Sequence, residues 1–179
     1  MKIIKHILFA ILGIIALALI VAVFLPKDYT VQREIVINQP SDSVYNYLKF
    51  LKNQDEFSVW AKTDPNMKKT FTGTDGTVGA ISAWESTNEN VGAGEQEIKK
   101  LTEGEKIDFE LRFKFPFEAT DKAYFSTQSI STNETKVRWG YDGHIPYPMN
   151  LMMPFMGMDE MIGKDLQQGL DNLKVILEK

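Results

Sequence analysis

Six of the chain's eight methionines fall within residues 146–163, PYPMNLMMPFMGMDEMIG. They are Met149, Met152, Met153, Met156, Met158 and Met161, and they form three pairs with M-x-x-M spacing. Thioethers are soft ligands that favour Cu(I). They are also unbranched and polarizable, which suits an apolar wall that must adapt to varied shapes. Pro146, Pro148 and Pro154 interrupt the run, and Leu151, Phe155 and Ile162 lie among the methionines. A pocket wants such residues and a metal site does not. The leading reading is therefore a deformable lid or rim over an apolar cavity, with a Met-rich Cu(I)-binding protein as the alternative. The same segment is also placed to dip into a bilayer surface.

Other chemistry is thin. Cysteine is absent, which removes disulfides, a thiolate nucleophile and cysteine zinc sites. There are two histidines, His6 and His144. On a strand, His144 and Asp142 share a face and are placed to pair, while Tyr141 points the other way. A His–Asp pair without a nucleophile supports at most general acid–base work. Gly73, Gly76 and Gly79 lack the spacing of a phosphate cradle and precede a strand, so they read as a hairpin loop. Glu95/Glu97 and Asp159/Glu160 lack calcium-loop spacing and read as solvated faces. No catalytic set, cofactor motif or metal site is legible.

The elements that would position these residues begin with residues 7–25, which are apolar without interruption. As a helix this run is about 28 Å long, close to the roughly 30 Å hydrocarbon core of a bilayer. A secretory signal has a shorter apolar core, and the small-x-small site Ala16-Leu17-Ala18 lies in mid-run. The expectation is an uncleaved single-pass anchor over residues 1–26 and a domain over 27–179. Lys2 and Lys5 precede the span, while Lys27 and Asp28 nearly cancel after it. The positive-inside rule then puts the N-terminus in the cytoplasm and the domain outside it, periplasmic or at the cell surface. The chain is 179 residues long with net charge −4. An acidic body argues against nucleic acid as a partner.

Residues 29–38 read as a strand. Ser41 is a plausible N-cap for a helix carrying Val44, Tyr47, Leu48 and Leu51 on one side. A second short helix covers about 54–60. From Met67 the period becomes two, with strands near 67–73, 78–86, 92–102, 105–116, 120–131 and 134–144. In the clearest, Ile107, Phe109, Leu111, Phe113, Phe115 and Phe117 alternate with polar residues, as in an antiparallel sheet covered on one side. About 154–178 returns to helical period, with Ile162, Leu166, Leu170, Leu173, Ile176 and Leu177 in one stripe. Gly163 and Gly169 lie in or beside that stripe, either for close packing on the sheet or to leave room for a ligand.

This order resembles the START-like superfamily, SRPBCC, also labelled polyketide cyclase/dehydrase and lipid transport, in a membrane-anchored bacterial subgroup. The resemblance runs from about Val31 to Glu178. It rests on INQPSDSVYNYLKFLKNQDEFSVWA, GTVGAISAWES, VGAGEQEI, TKVRWGYDG and MDEMIGKDLQQGLDNLKVILE. It implies an α+β helix-grip fold: a curved antiparallel sheet of about seven strands around a long C-terminal helix, with two short helices after the first strand. It further implies an apolar cavity between sheet and helix that takes a hydrophobic small molecule or lipid. By position the lining falls to Trp84, Phe109, Leu111, Phe113, Trp139 and Tyr141, to Met153, Phe155, Met156 and Met161, and to Trp60 near the mouth. Ordinary core packing is the competing reading for each. Binding without catalysis is the leading function, and a cyclase or hydrolase using the same cavity is the alternative.

Overall fold

The computed structural model describes residues 2–179. Helix α1 (Lys2–Phe24) is apolar along its length and is exposed except at Ala22. Only residues 25–27 separate it from strand β1 (Asp28–Ile37). Then follow α2 (Ser41–Leu48), a 3-10 turn (Leu51–Asn53), α3 (Gln54–Phe57) and α4 (Val59–Thr63). Strands β2 (Lys68–Thr72), β3 (Ile81–Glu85), β4 (Ala93–Thr102), β5 (Lys106–Phe115), β6 (Ala119–Ser131) and β7 (Glu134–His144) come next. A 3-10 turn (Met149–Met152), α5 (Met153–Met156) and α6 (Met158–Leu177) close the chain.

The seven strands form one antiparallel sheet in the order β1-β7-β6-β5-β4-β3-β2. Strands β2 to β7 are a meander, and β1 closes onto β7 as the far edge. Period-two sequences dictate this: on β5, Ile107 and Phe109 are buried while Lys106 and Asp108 form an ion pair on the outer face. The register of β4 on β5 shifts at Ala93/Gly94 and again at Ile98/Lys100. Bulges of this kind bend a strand and increase its twist.

Helix α6 packs on β1, β7, α3 and α4 through Gly163, Leu166, Gly169, Leu170 and Leu173, one face at helical spacing. That face meets the main core, which includes Val31, Ile37, Val44, Leu48, Phe57, Ile98, Phe125 and Val137. The helix-grip architecture expected from the sequence is the one observed.

Several local readings need correction. Helix α2 begins at Ser41, preceded by Pro40, with no side-chain cap. The short helix expected over 54–60 is two separate helices, α3 and α4, broken where Ser58 is extended (φ −64°, ψ 133°). The long C-terminal helix does not start near 154. Gly157 takes a left-handed conformation (φ 58°, ψ 39°) and separates α5 from α6. A left-handed residue ends one helical direction before the next begins. Finally, His144 Nδ1 meets Asp28 at 2.7 Å, not Asp142, whose carboxylate accepts from the Thr30 hydroxyl. β1 supplies the closer carboxylate because Asp28 lies directly opposite His144 in the register.

Candidate functional site

A cavity of about 280 Å³ lies between the sheet, α6 and the α3–α4 pair. Small-molecule pockets run from about 300 to 1,000 Å³, so this one sits near the lower end. Three inward positions of β5 contribute Phe109, Leu111 and Phe113. They share a face because alternate strand residues do. Trp139 and Tyr141 come from β7, Trp84 and Ser82 from β3, and Ala123 from β6. Ala123 stands opposite both Phe109 and Tyr141 in the register, so a small side chain leaves space where two large ones approach. Ile162 and Leu166 of α6 close the helix side, and Trp60 and Ala61 of α4 the other.

The floor is deep. Phe109, Trp139, Ala123 and Leu166 are buried, whereas Trp60, Trp84, Leu111 and Phe113 are partly exposed. Trp139 is held by three aromatic neighbours: Phe125 at 4.8 Å between ring centroids, Phe57 at 5.7 Å and Trp60 at 6.0 Å. Tilted and edge-on pairs at such distances are favourable aromatic geometries. On the opposite wall Trp84 and Phe113 meet edge to face at 6.0 Å. Trp84 Nε1 donates to the carbonyl of Val91, another lining residue. That bond fixes the indole, and Gly94 beneath it leaves room for the ring.

One side of the cavity is polar. Gln54 is buried, and its Oε1 accepts from Gln96 Nε2 at 3.1 Å. Gln54 Nε2 has no partner among the described residues. A buried donor left unmatched costs about 1–3 kcal/mol, and both Gln54 and Gln96 are lining residues of the cavity. At the rim, Lys69 Nζ pairs with Asp55 at 2.5 Å.

Tyr141 borders a second polar group. Its hydroxyl donates to buried Asp121 at 2.5 Å, and the other oxygen of Asp121 accepts the backbone N–H of His144 at 3.0 Å. Burial, and then the bond to Asp121, push the Tyr141 phenol far above its ordinary range. Tyr29, whose ring lies 6.1 Å from that of Tyr141, is pushed up to about 12 by burial and then by the charge of Asp121. Both phenols stay protonated at physiological pH, and Tyr141 has its proton committed to Asp121. The pair orients the β7 end of the wall. It offers no base to a bound molecule. Among the described residues, no group of three or more His, Cys, Asp or Glu is placed to hold a metal ion.

Of the residues singled out in the sequence, Trp60, Trp84, Phe109, Leu111, Phe113, Trp139 and Tyr141 lie on the cavity. Met153, Phe155, Met156 and Met161 do not. Gly157 separates the methionine-rich turns from α6, and Phe155, Met156 and Met161 are exposed. Met153 lines a separate small crevice with Leu25, Pro26, Asn150 and Pro154. The methionine on the cavity is Met67, from outside the cluster. Neither helix glycine faces the cavity. Gly169 lets the Trp139 ring approach, and Gly163 lets the Arg33 guanidinium reach Asp159. Gln54 and Gln96 were missed. Gln96 had a signal, since it shares the inward phase of β4 with Gly94 and Ile98. Gln54, in a one-turn helix, had none.

No family model matches the chain, and no curated protein matches it. Solved structures do. A protein from Nitrosospira multiformis superposes with a TM-score of 0.59 at 16% identity, covering 83% of this chain and 96% of that one. DynU16, from the dynemicin biosynthetic locus, gives 0.58 at 11%, covering 84% of this chain and 47% of its own. Ara h 8.0201 gives 0.56 at 11%, covering 84% and 97%. At such identities the likeness establishes the fold, a seven-stranded helix-grip architecture, and the fold alone.

Proposed function

We propose that this chain is a membrane-anchored START-like protein that binds a hydrophobic small molecule or lipid without transforming it. Residues 1–26 serve as a single-pass anchor, and residues 27–179 hold the cavity. The observation that carries the reading is an aromatic cavity of about 280 Å³ with one unmatched buried donor, Gln54 Nε2. With Gln54 and Gln96 on its one polar side, such a cavity suits a mostly apolar ligand that carries a hydrogen-bonding oxygen, such as a ketone, ester or carboxylate. Helix-grip neighbours that include a protein of the dynemicin biosynthetic locus are in keeping with such a cavity.

Native mass spectrometry of the full chain, released from detergent, tests this. The protein is titrated with 2-acetylnaphthalene and with its near-isostere 2-isopropylnaphthalene, which lacks the oxygen. Both should bind, the ketone more tightly. In Gln54→Leu the preference should shrink by about 5- to 150-fold, the range a 1–3 kcal/mol hydrogen bond sets. Ala61→Trp, which fills the cavity, should bind neither. Organic extraction of co-purifying adducts then names the natural class. No adduct and no binding of either probe would overturn the reading. Chemical change of an extracted compound would favour the cyclase or hydrolase alternative. A copper adduct lost when the methionines become leucine would favour the Cu(I) one.

A further inference from the structure

The methionine-rich turns do not line the aromatic cavity, yet they carry an apolar surface. We propose that residues 147–156 form a membrane-seating surface that lies in the interface of the leaflet from which α1 emerges. The proposal rests on the reading of α1 as a bilayer anchor. The segment exposes Phe155 (82%), Met149 (58%) and Met152 (57%), with Met156 and Tyr147 also exposed. No charged residue occurs from Ile145 to Met158. Single exposed apolar side chains are ordinary, but a contiguous charge-free group of this kind marks an interaction site.

The joint to α1 says what covers it. Asn150 is fully buried, and its Nδ2 donates to the carbonyls of Ala22 at 2.7 Å and Leu25 at 3.1 Å. The final carbonyls of a helix lack partners within it, so this side chain caps α1 from far along the chain. Ala22 is buried at that contact, while the rest of the helix is bare. The backbone N–H of Ile145 also donates to the Lys27 carbonyl at 2.8 Å. The apolar turns are thus bound to the end of the anchor itself.

Length places them. Helix α1 spans 23 residues, about 34 Å, against a hydrocarbon core of roughly 30 Å. From Phe24 to Asp28 the chain reaches at most about 14 Å. The exposed methionines and Phe155 therefore sit at the level where the helix leaves the hydrocarbon. Interfacial segments bury their apolar side chains about 5–10 Å below the headgroups, and tyrosine suits that boundary. Only a medium that covers α1 also covers the adjoining patch. Of two carboxylates flanking the patch, Asp159 is paired with the Arg33 guanidinium at 3.0 Å, and Asp28 meets the His144 ring at 2.7 Å. Helix α6 starts directly after the patch and reaches the cavity wall at Ile162 and Leu166, about 6 and 12 Å along its axis. Seating the patch therefore holds the cavity close to lipid in one orientation.

The natural chain has no cysteine, so single-cysteine nitroxide labelling is clean. The full chain is reconstituted in phosphatidylcholine–phosphatidylglycerol vesicles and labelled at Met152→Cys, Phe155→Cys, Ile14→Cys in α1 or Thr132→Cys. The last is an exposed turn at the far end of β7, roughly 33 Å away along the strand. Collision rates with oxygen, which enriches in lipid, and with a water-soluble nickel chelate are compared. The patch and Ile14 labels should be oxygen-rich and nickel-poor, and Thr132 the reverse. Patch labels as open to nickel as Thr132, with Ile14 still in the bilayer, would overturn this proposal alone. An Ile14 label open to nickel would overturn the anchor reading and this proposal with it.

Discussion

Trp139 depends on an absent side chain. A Cβ built on Gly169 would lie 2.5 Å from the edge of the indole, which is packed among Phe57, Phe125 and Trp60 and can yield only towards the cavity. A Cβ on Gly163 would lie 2.0 Å from the Arg33 guanidinium, the far end of a flexible chain near the surface. Either alanine gains about 1 kcal/mol of helix propensity. At Gly169 overpacking of about 1–3 kcal/mol opposes that gain. At Gly163 the opposing loss is a solvent-screened surface ion pair, which contributes little. Gly169→Ala should therefore lower the midpoint of urea unfolding, and Gly163→Ala should leave it nearly unchanged. Equal effects would show that the indole moves aside freely. Because Trp139 is also cavity wall, Gly169→Ala should weaken 2-acetylnaphthalene binding as well.

At the scale of elements, the outer face of β4 and β5 carries a charge network. Arg112 donates to Glu95 and Glu97, each at 2.7 Å, and to Glu110, while Lys114 pairs with Glu95 at 2.8 Å. Lys114 and Arg112 hold Glu95 below the ordinary carboxylate range, and Arg112 and Lys99 do the same for Glu97. Carboxyls with depressed folded values contribute stability above their unfolded value, near 4.5, and lose it as pH falls through the folded value. The acid limb of the stability curve should therefore begin near pH 4.5 and steepen below it. Arg112→Met should lower stability at neutral pH and flatten that limb. Urea unfolding of both proteins at a series of pH values from 7 to 3 measures this, and parallel curves would remove the network from the account. The strands bearing these charges were legible, since period-two alternation is a local signal. The division of the C-terminal helix was not. Gly157 resembles a tolerated helix glycine until the fold requires the chain to turn there.

At the scale of the molecule, α1 and the domain meet within a few residues, and on the proposed reading of α1 as an anchor its orientation sets which side of a membrane the cavity faces. Helix α1 is long and apolar enough to cross a bilayer, and a signal sequence meets the same test. The lysines before it favour a cytoplasmic N-terminus. Protease added to intact cells or spheroplasts should remove the domain and leave a protected fragment the size of α1. Full protection would reverse the orientation, and a purified chain lacking its first residues would show cleavage.

The sequence by itself determined whatever repeats within a short window: the apolar run of α1, the alternation of the seven strands and the apolar stripe of α6. Those patterns sum local preferences and burial, so they survive without knowledge of partners. The same alternation put aromatic residues of β5 and β7 on the inward face, while only the family resemblance pointed to a cavity there. Tertiary structure alone decided which distant residues meet. It brought Gln54 to Gln96, leaving one buried donor unmatched, and carried Asn150 to the carbonyl of Ala22. Pairing across such separations is set by how sheet and helices close on one another, and no short window of sequence contains it. The methionines show the difference most plainly: their chemistry was visible from the start, but a left-handed glycine and one buried asparagine turned them from the cavity towards the end of α1.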